Sequence, residues 1–138
     1  MTLKRFTLEV HTEGNTDVKN LSPELGKHLR DIKADGLMHL FVVGSTAALT
    51  TIEFEPGLVK HDLAATLQKL IPEDAFYHHE QTWNDDNGHS HLRASLLGPG
   101  LTIPFSRGRL LTGEYQQVVL VDFDTRGRKR TIIGTIIT

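Results

Sequence analysis

Four of the eight histidines fall between residues 78 and 91: His78, His79, His89 and His91. Imidazole suits borderline metals such as zinc, and three neutral imidazoles can hold one ion while leaving a position open for water or substrate. His89-Ser90-His91 has i, i+2 spacing, which puts both rings on one side of an extended or loop backbone. On a regular helix the same rings diverge by about 200°, because each residue advances by about 100°. The pair therefore chelates only if it precedes the helix or sits on irregular backbone, and Asp85-Asp86-Asn87-Gly88 upstream has the composition of such a turn. His79, twelve positions before His91, is the third candidate ligand. A solvated loop rich in His, Asp and Asn explains the same residues, because a short motif has many chance matches. His11 and His28 read as half-exposed residues, His39 as a hydrogen-bonded core residue, and His61 has no evident role.

Two further groups could do chemistry. The stretch Gly44-Ser45-Thr46-Ala47-Ala48 combines small residues, which let a ligand approach the backbone, with hydroxyls and free amides that can hold an anion. A tight strand connection is the competing reading. Glu53, in an otherwise apolar run, reads either as a carboxylate with a cation or proton role or as a residue on the solvent face. Arg93 and Ser95, and Arg109 in a later turn, could bind phosphate or carboxylate by charge-assisted hydrogen bonds, or form surface ion pairs. Arg126, Arg128, Lys129 and Arg130 read as a solvated turn. There is no Walker loop, dinucleotide fingerprint, nucleophile elbow or His-Glu-x-x-His.

The elements that must position these groups follow from pattern and composition. A length of 138 residues suits one domain, residues 1–138, and 38% hydrophobic residues suffice for a core. A formal charge of −2 gives no electrostatic footprint for nucleic acid or an anionic membrane. The absence of cysteine excludes disulfides, thiolate metal sites and a cysteine nucleophile. Apolar runs such as 40–43 are too short to span a bilayer, and the N-terminal residues lack a signal-peptide core, so a cytoplasmic location is expected. Alternation predicts a strand over 3–12. Ser22-Pro23-Glu24 opens a helix carrying Leu25, Leu29 and Ile32 that ends near Asp35-Gly36. Residues 37–43 read as a central strand covered on both faces, and 49–54 as another. Asp62 caps a second helix carrying Leu63, Leu67, Leu70 and Ile71, stopped by Pro72. Residues 77–87 read as irregular and 91–97 as a short helix. Strands follow at 101–105, 110–112, 116–123 and 131–137, the last two joined as a hairpin through Asp124-Thr125-Arg126-Gly127. This order predicts an α+β domain with a mixed or antiparallel sheet and two main helices packed on it.

The blocks Gly-Ser-Thr-Ala-Ala-Leu-Thr-Thr-Ile-Glu (44–53), Tyr-His-His (77–79), Asn-Gly-His-Ser-His-Leu-Arg-Ala-Ser-Leu-Leu-Gly-Pro (87–99) and Gly-Arg-Leu-Leu-Thr-Gly-Glu-Tyr-Gln (108–116), in this order, resemble the YjbQ-type family. Its members are often described as secondary thiamine-phosphate synthase enzymes. The resemblance implies a curved sheet, assembly into trimers, and a histidine-lined site able to bind a metal. It also implies a secondary ability to join a pyrimidine pyrophosphate to a thiazole phosphate, giving thiamine phosphate and pyrophosphate. His79 and His91 fall on the family's most characteristic histidines, His89 on a histidine of many members and Glu53 on a recurrent glutamate. Where many members carry His-Thr-Thr-Ala-Ala, this chain has Gly44-Ser45-Thr46-Ala47-Ala48, so one ligand is absent.

These readings combine into a metal-assisted enzyme acting on a small phosphorylated molecule. His79, His89 and His91 hold a divalent ion, zinc by ligand type, with Mg²⁺ as the ion a pyrophosphate would bring. Arg93, Ser95, Arg109 and the backbone of Gly44, Ser45 and Thr46 bind substrate, while Glu53 and His91 exchange protons. The alternative is a non-catalytic module that binds a small anion or cements an oligomer through the same pocket.

Overall fold

The computed structural model describes residues Met1–Thr138. Its backbone forms two stacked antiparallel sheets. The larger runs in the order β1 (Leu3–His11), β8 (Lys129–Ile137), β3 (Asp35–Val43), β5 (Gly100–Ser106), β6 (Arg109–Leu110). The smaller places β7 (Gln116–Asp122) between β2 (Asp17–Asn20) and β4 (Ala47–Glu53). Helices α1 (Ser22–Leu29), α2 (Leu63–Leu70), α3 (His79–Trp83) and α4 (Gly88–Leu97) complete the fold. All strand pairs are antiparallel, which confirms the α+β expectation. No helix is long and apolar enough to cross a membrane.

Strand alternation creates three layers. Met38, Leu40 and Val42 of β3, Ile132 and Ile136 of β8, and Val118 and Leu120 of β7 meet between the sheets, with Leu25 and Leu29 of α1 closing one end. Val119 and Val121 point the other way, onto Leu67 of α2 and Ala94 of α4. β7 is therefore the strand buried on both faces. β3 was expected in that role, but its Leu37, Phe41 and Val43 are exposed, with Phe41 at 43%. A continuous apolar run identifies a strand without saying whether anything covers its second face.

Other boundaries shift for identifiable reasons. α1 ends at Leu29, before Ile32, and the Ser22 hydroxyl accepts from the Val118 N–H (2.9 Å) in place of capping the helix. Asp62 makes no capping bond; a π-helical turn, Leu58–Asp62, precedes α2, and Glu55 accepts from the N–H groups of Gly57 and Leu58 (2.8 and 2.6 Å). The segment after 116 is not a hairpin, because β7 and β8 lie in different sheets. Arg130, expected in a solvated turn, is instead 7% exposed and ties the sheets together. Its Nε and Nη2 donate to the two oxygens of Asp122 (2.6 and 2.8 Å).

Candidate functional site

The centre of the site is α4, which starts at Gly88 and so contains both His89 and His91. The i, i+2 pair on regular helix diverges, and the structure places the two rings in different cavities. His91 meets His79, the first residue of α3, with ring centroids 4.5 Å apart and planes tilted by 59°. The sequence around them explains the approach. Glu80 of α3 accepts from the N–H of Tyr77 (3.1 Å) and from the N–H of Gly88 (3.2 Å), docking α3 against the start of α4. A Cβ at Gly88 would lie 2.7 Å from the Tyr77 Cβ, so only glycine permits this contact.

One carboxylate, Asp85, flanks the pair. His79 Nε2 lies 3.1 Å from Asp85 Oδ1 and 3.1 Å from the Asn87 amide. In the orientation with the shorter bonds, Asn87 Nδ2 donates to both Asp85 oxygens (3.0 and 3.2 Å). On its far side Asn87 lies 3.4 Å from the buried Asp124. Burial alone would raise the Asp124 pKa, but the Thr125 N–H, the Thr46 hydroxyl and the Arg128 charge outweigh it and hold the carboxyl below its usual range. A polar chain thus runs from Arg130 through Thr46 (2.6 Å) to Asp124 (3.0 Å), which lies behind Asn87 and His79. Asp85, Asn87 and Asp124 read from the sequence only as turn residues, and Glu80 has no role in that reading. The signal that could have exposed them is the need of an oriented imidazole for a carboxylate or amide partner.

The other candidates divide. The histidine pair opens on a cavity of about 380 Å³ bordered by Phe76, Tyr77 and Leu92. Ser95, one turn after His91 on the same face of α4, lines a cavity of about 240 Å³ with Gly44 and Ser45. Thr46 is not available to a ligand: it is buried and bonded to Arg130 and Asp124. Gly44 adopts φ +153°, and a Cβ there would lie 2.7 Å from Arg130 Nη1. Glu53 ends β4 in solvent, opposite Gln116, and Arg109 is exposed at the free edge of the larger sheet. Neither reaches α4. His39 is hydrogen-bonded as expected (Thr102 Oγ1, 2.9 Å) but is only half-buried.

His89 and Arg93, one turn apart, face the opposite side of α4 from His91. Burial, followed by the Arg93 charge, holds the His89 pKa below its usual value, so the ring favours its neutral form. Its Nδ1 is a buried atom with no hydrogen-bond partner. Tested against a zinc ion, the chain's donors do not fit. No three His, Asp or Glu side chains come together around a point that could hold a metal, and His79, His89 and His91 do not form one ligand set.

Comparison with known proteins identifies the family and the fold. A family model described as "UPF0047 protein YjbQ-like" matches residues 6–138. The chain is 34% identical over 101 residues to the UPF0047 protein YjbQ of Escherichia coli O157:H7, covering 73% of this chain and 72% of that one. It is 33% identical over 102 residues to a UPF0047 protein of Archaeoglobus fulgidus, covering 74% and 79%. Among solved structures, a YbjQ-like protein of unknown function from Sulfolobus solfataricus P2 superposes with a TM-score of 0.84 at 25% identity, over 98% of each chain. A hypothetical protein from Aeropyrum pernix K1 gives 0.84 at 27% identity, over 97% and 98%.

Proposed function

We propose, for a chain that belongs to the YjbQ-like UPF0047 family, an acid–base enzyme acting on a small phosphorylated molecule in the groove along α4. The observation that carries this reading is the His79–His91 contact beside Asp85, at the mouth of a cavity of small-molecule size. Asp85 and Asn87 orient His79, and His91 sits where a substrate would meet it. One imidazole can accept a proton while its neighbour donates one to a departing phosphate oxygen. Ser95, Ser45 and the Gly44 backbone supply neutral contacts one helical turn away. The reaction implied by the family resemblance, formation of thiamine phosphate, is a candidate of this kind. There the thiazole nitrogen displaces pyrophosphate from the pyrimidine methylene carbon, and the imidazole pair would protonate the departing oxygen.

The test is turnover of the purified chain with pyrimidine pyrophosphate and thiazole phosphate, following both thiamine phosphate and pyrophosphate. His91→Ala and His79→Ala should each lower the rate by about a hundredfold or more. Turnover unchanged in both variants rejects the pair as the proton-transfer groups; no turnover in the wild type rejects this substrate pair.

A second reading, a module whose role is assembly, is favoured by the uncovered face of the larger sheet. Leu37, Phe41 and Val43 stand exposed there, and Val43 leads directly into Gly44 of the groove. We propose that this face joins copies of the chain into the trimer implied by the family resemblance. Light scattering should then give three chains for the wild type and one for Phe41→Glu; a monomeric wild type rules the proposal out.

A further inference from the structure

On the side of α4 away from the histidine pair lies a buried charge that no carboxylate contacts, with Glu73 balancing it only from a distance. Arg93 is 5% exposed, yet no carboxylate forms an ion pair with it. Its Nε and Nη2 donate to the Ile71 carbonyl (3.0 and 2.9 Å), and Nη2 also donates to Gln68 Oε1 (2.9 Å). Nη1 donates to no protein group. The other buried guanidinium, Arg130, has Asp122 on two of its nitrogens. An unpaired buried cation is costly, and folded chains retain one where a partner arrives from outside.

A second observation points into the same space. His89, 2% exposed, has the one buried side-chain nitrogen or oxygen without a partner, Nδ1. Ser90 Oγ, 3.4 Å from Nε2, can donate to that nitrogen and leave the ring proton on Nδ1. His89, Arg93 and Gln68 line a cavity of about 340 Å³, closed on one side by Asn15 and Thr16. Both closing residues adopt left-handed backbone, at φ +55° and +66°, and for the β-branched Thr16 that conformation is strained. Asn15, Thr16 and Ala64 also line the adjoining cavity of about 550 Å³, which runs to Phe54, Val59 and Lys60. Glu73, exposed at the rim of the smaller cavity, acts on Arg93 and His89 through its charge but forms no ion pair with Arg93.

We propose that this cavity binds a small oxyanion, a carboxylate or phosphate group, held by Arg93 and His89 and carried on a ligand whose apolar body extends toward Phe54 and Val59. The oxyanion accepts from Arg93 Nη1 and from His89 Nδ1–H. One buried unsatisfied donor, the free Nη1 of Arg93 and a charge without a contacting carboxylate are met by one group of the ligand, while the Asn15–Thr16 turn forms the wall between head and body. This site is separate from the groove bearing His91 and stands whether or not that groove is catalytic.

The experiment titrates the full-length chain with inorganic phosphate in one arm and acetate in the other. Chloride holds the ionic strength constant, and calorimetry and the ring nitrogen resonances of all eight histidines are followed. Saturable binding in either arm, with the largest displacement at His89, is expected. A response to phosphate alone identifies a phosphorylated ligand and a response to acetate alone a carboxylate. Arg93→Gln and His89→Gln should each weaken binding by about tenfold or more. If Arg93→Gln does not fold, His89→Gln and the wild-type resonances decide. No saturable binding in either arm, or binding that leaves the His89 ring unmoved, overturns the proposal.

Discussion

Removing Asp122 should cost this fold more than any single core methyl group, and the structure says how much. Asp122 has no exposed surface and accepts four hydrogen bonds: from Arg130 Nε (2.6 Å) and Nη2 (2.8 Å), Thr12 Oγ1 (2.6 Å) and the Asp124 N–H (3.0 Å). In Asp122→Ala, Arg130 keeps only Thr46 and a 3.9 Å contact with Asp124, so a guanidinium is left nearly unpaired between the sheets. Breaking one side of a buried ion pair costs about 3–5 kcal/mol. A domain of this size has about 5–15 kcal/mol in total, so the variant should be marginal. The double variant Asp122→Leu/Arg130→Met removes both charges. It should lose only about 1 kcal/mol for each polar group left behind, chiefly Thr12, Thr46 and the Asp124 N–H. It should therefore be no less stable than Asp122→Ala. Urea unfolding followed by circular dichroism, at one fixed protein concentration, gives both values from the midpoints at constant slope. A loss below about 1 kcal/mol in Asp122→Ala, or a double variant clearly less stable than that single one, would refute the argument that an uncompensated charge is the dominant cost.

Three further outcomes are expected. His89 has a folded pKa below its ordinary 6.5, so the unfolded chain takes up the proton first on acidification. The stability it contributes is complete above that value and is lost as pH falls from there toward the lowered folded pKa. His89→Gln should flatten this part of the pH–stability curve, and an unchanged slope in thermal melts would show that the ring is not held neutral. Gly44→Ala places a Cβ against Arg130 at an unfavourable φ and should cost about 1–3 kcal/mol by denaturant unfolding. Gly44→His should be worse and gain no zinc affinity; a variant as stable as the wild type would show that Arg130 yields easily. Finally, the wild type dialysed after zinc exposure should retain less than one equivalent, with a Tm indifferent to chelator, because His89 faces away from His79 and His91. A stoichiometric zinc removed with a fall in Tm contradicts that arrangement.

Much of the fold and part of the site were legible in the residues themselves. Period-two alternation marks β1 and β8, the Ser22-Pro23-Glu24 signal marks the start of α1, and the ordered blocks around residues 44–53 and 87–99 are specific enough to indicate the family. These are local features, carried by neighbours in the chain, and local chemistry suffices to specify them. The histidine cluster was likewise visible, including the condition on which chelation depends, that the i, i+2 pair should precede the helix.

What tertiary structure decided was the side on which each group found its partners. α4 begins three residues earlier than its apolar pattern indicates, because Glu80 fixes the Gly88 N–H, and that shift sends His89 and His91 to opposite faces. Periodicity assigns residues of a strand to alternate faces but is silent on what covers each face, so β3 and β7, both apolar, exchanged roles. Arg130 and Asp122 are close in sequence yet meet only because their strands enter different sheets. A charge acquires its chemical meaning from the groups packed around it, and most of those are brought there by contacts distant along the chain.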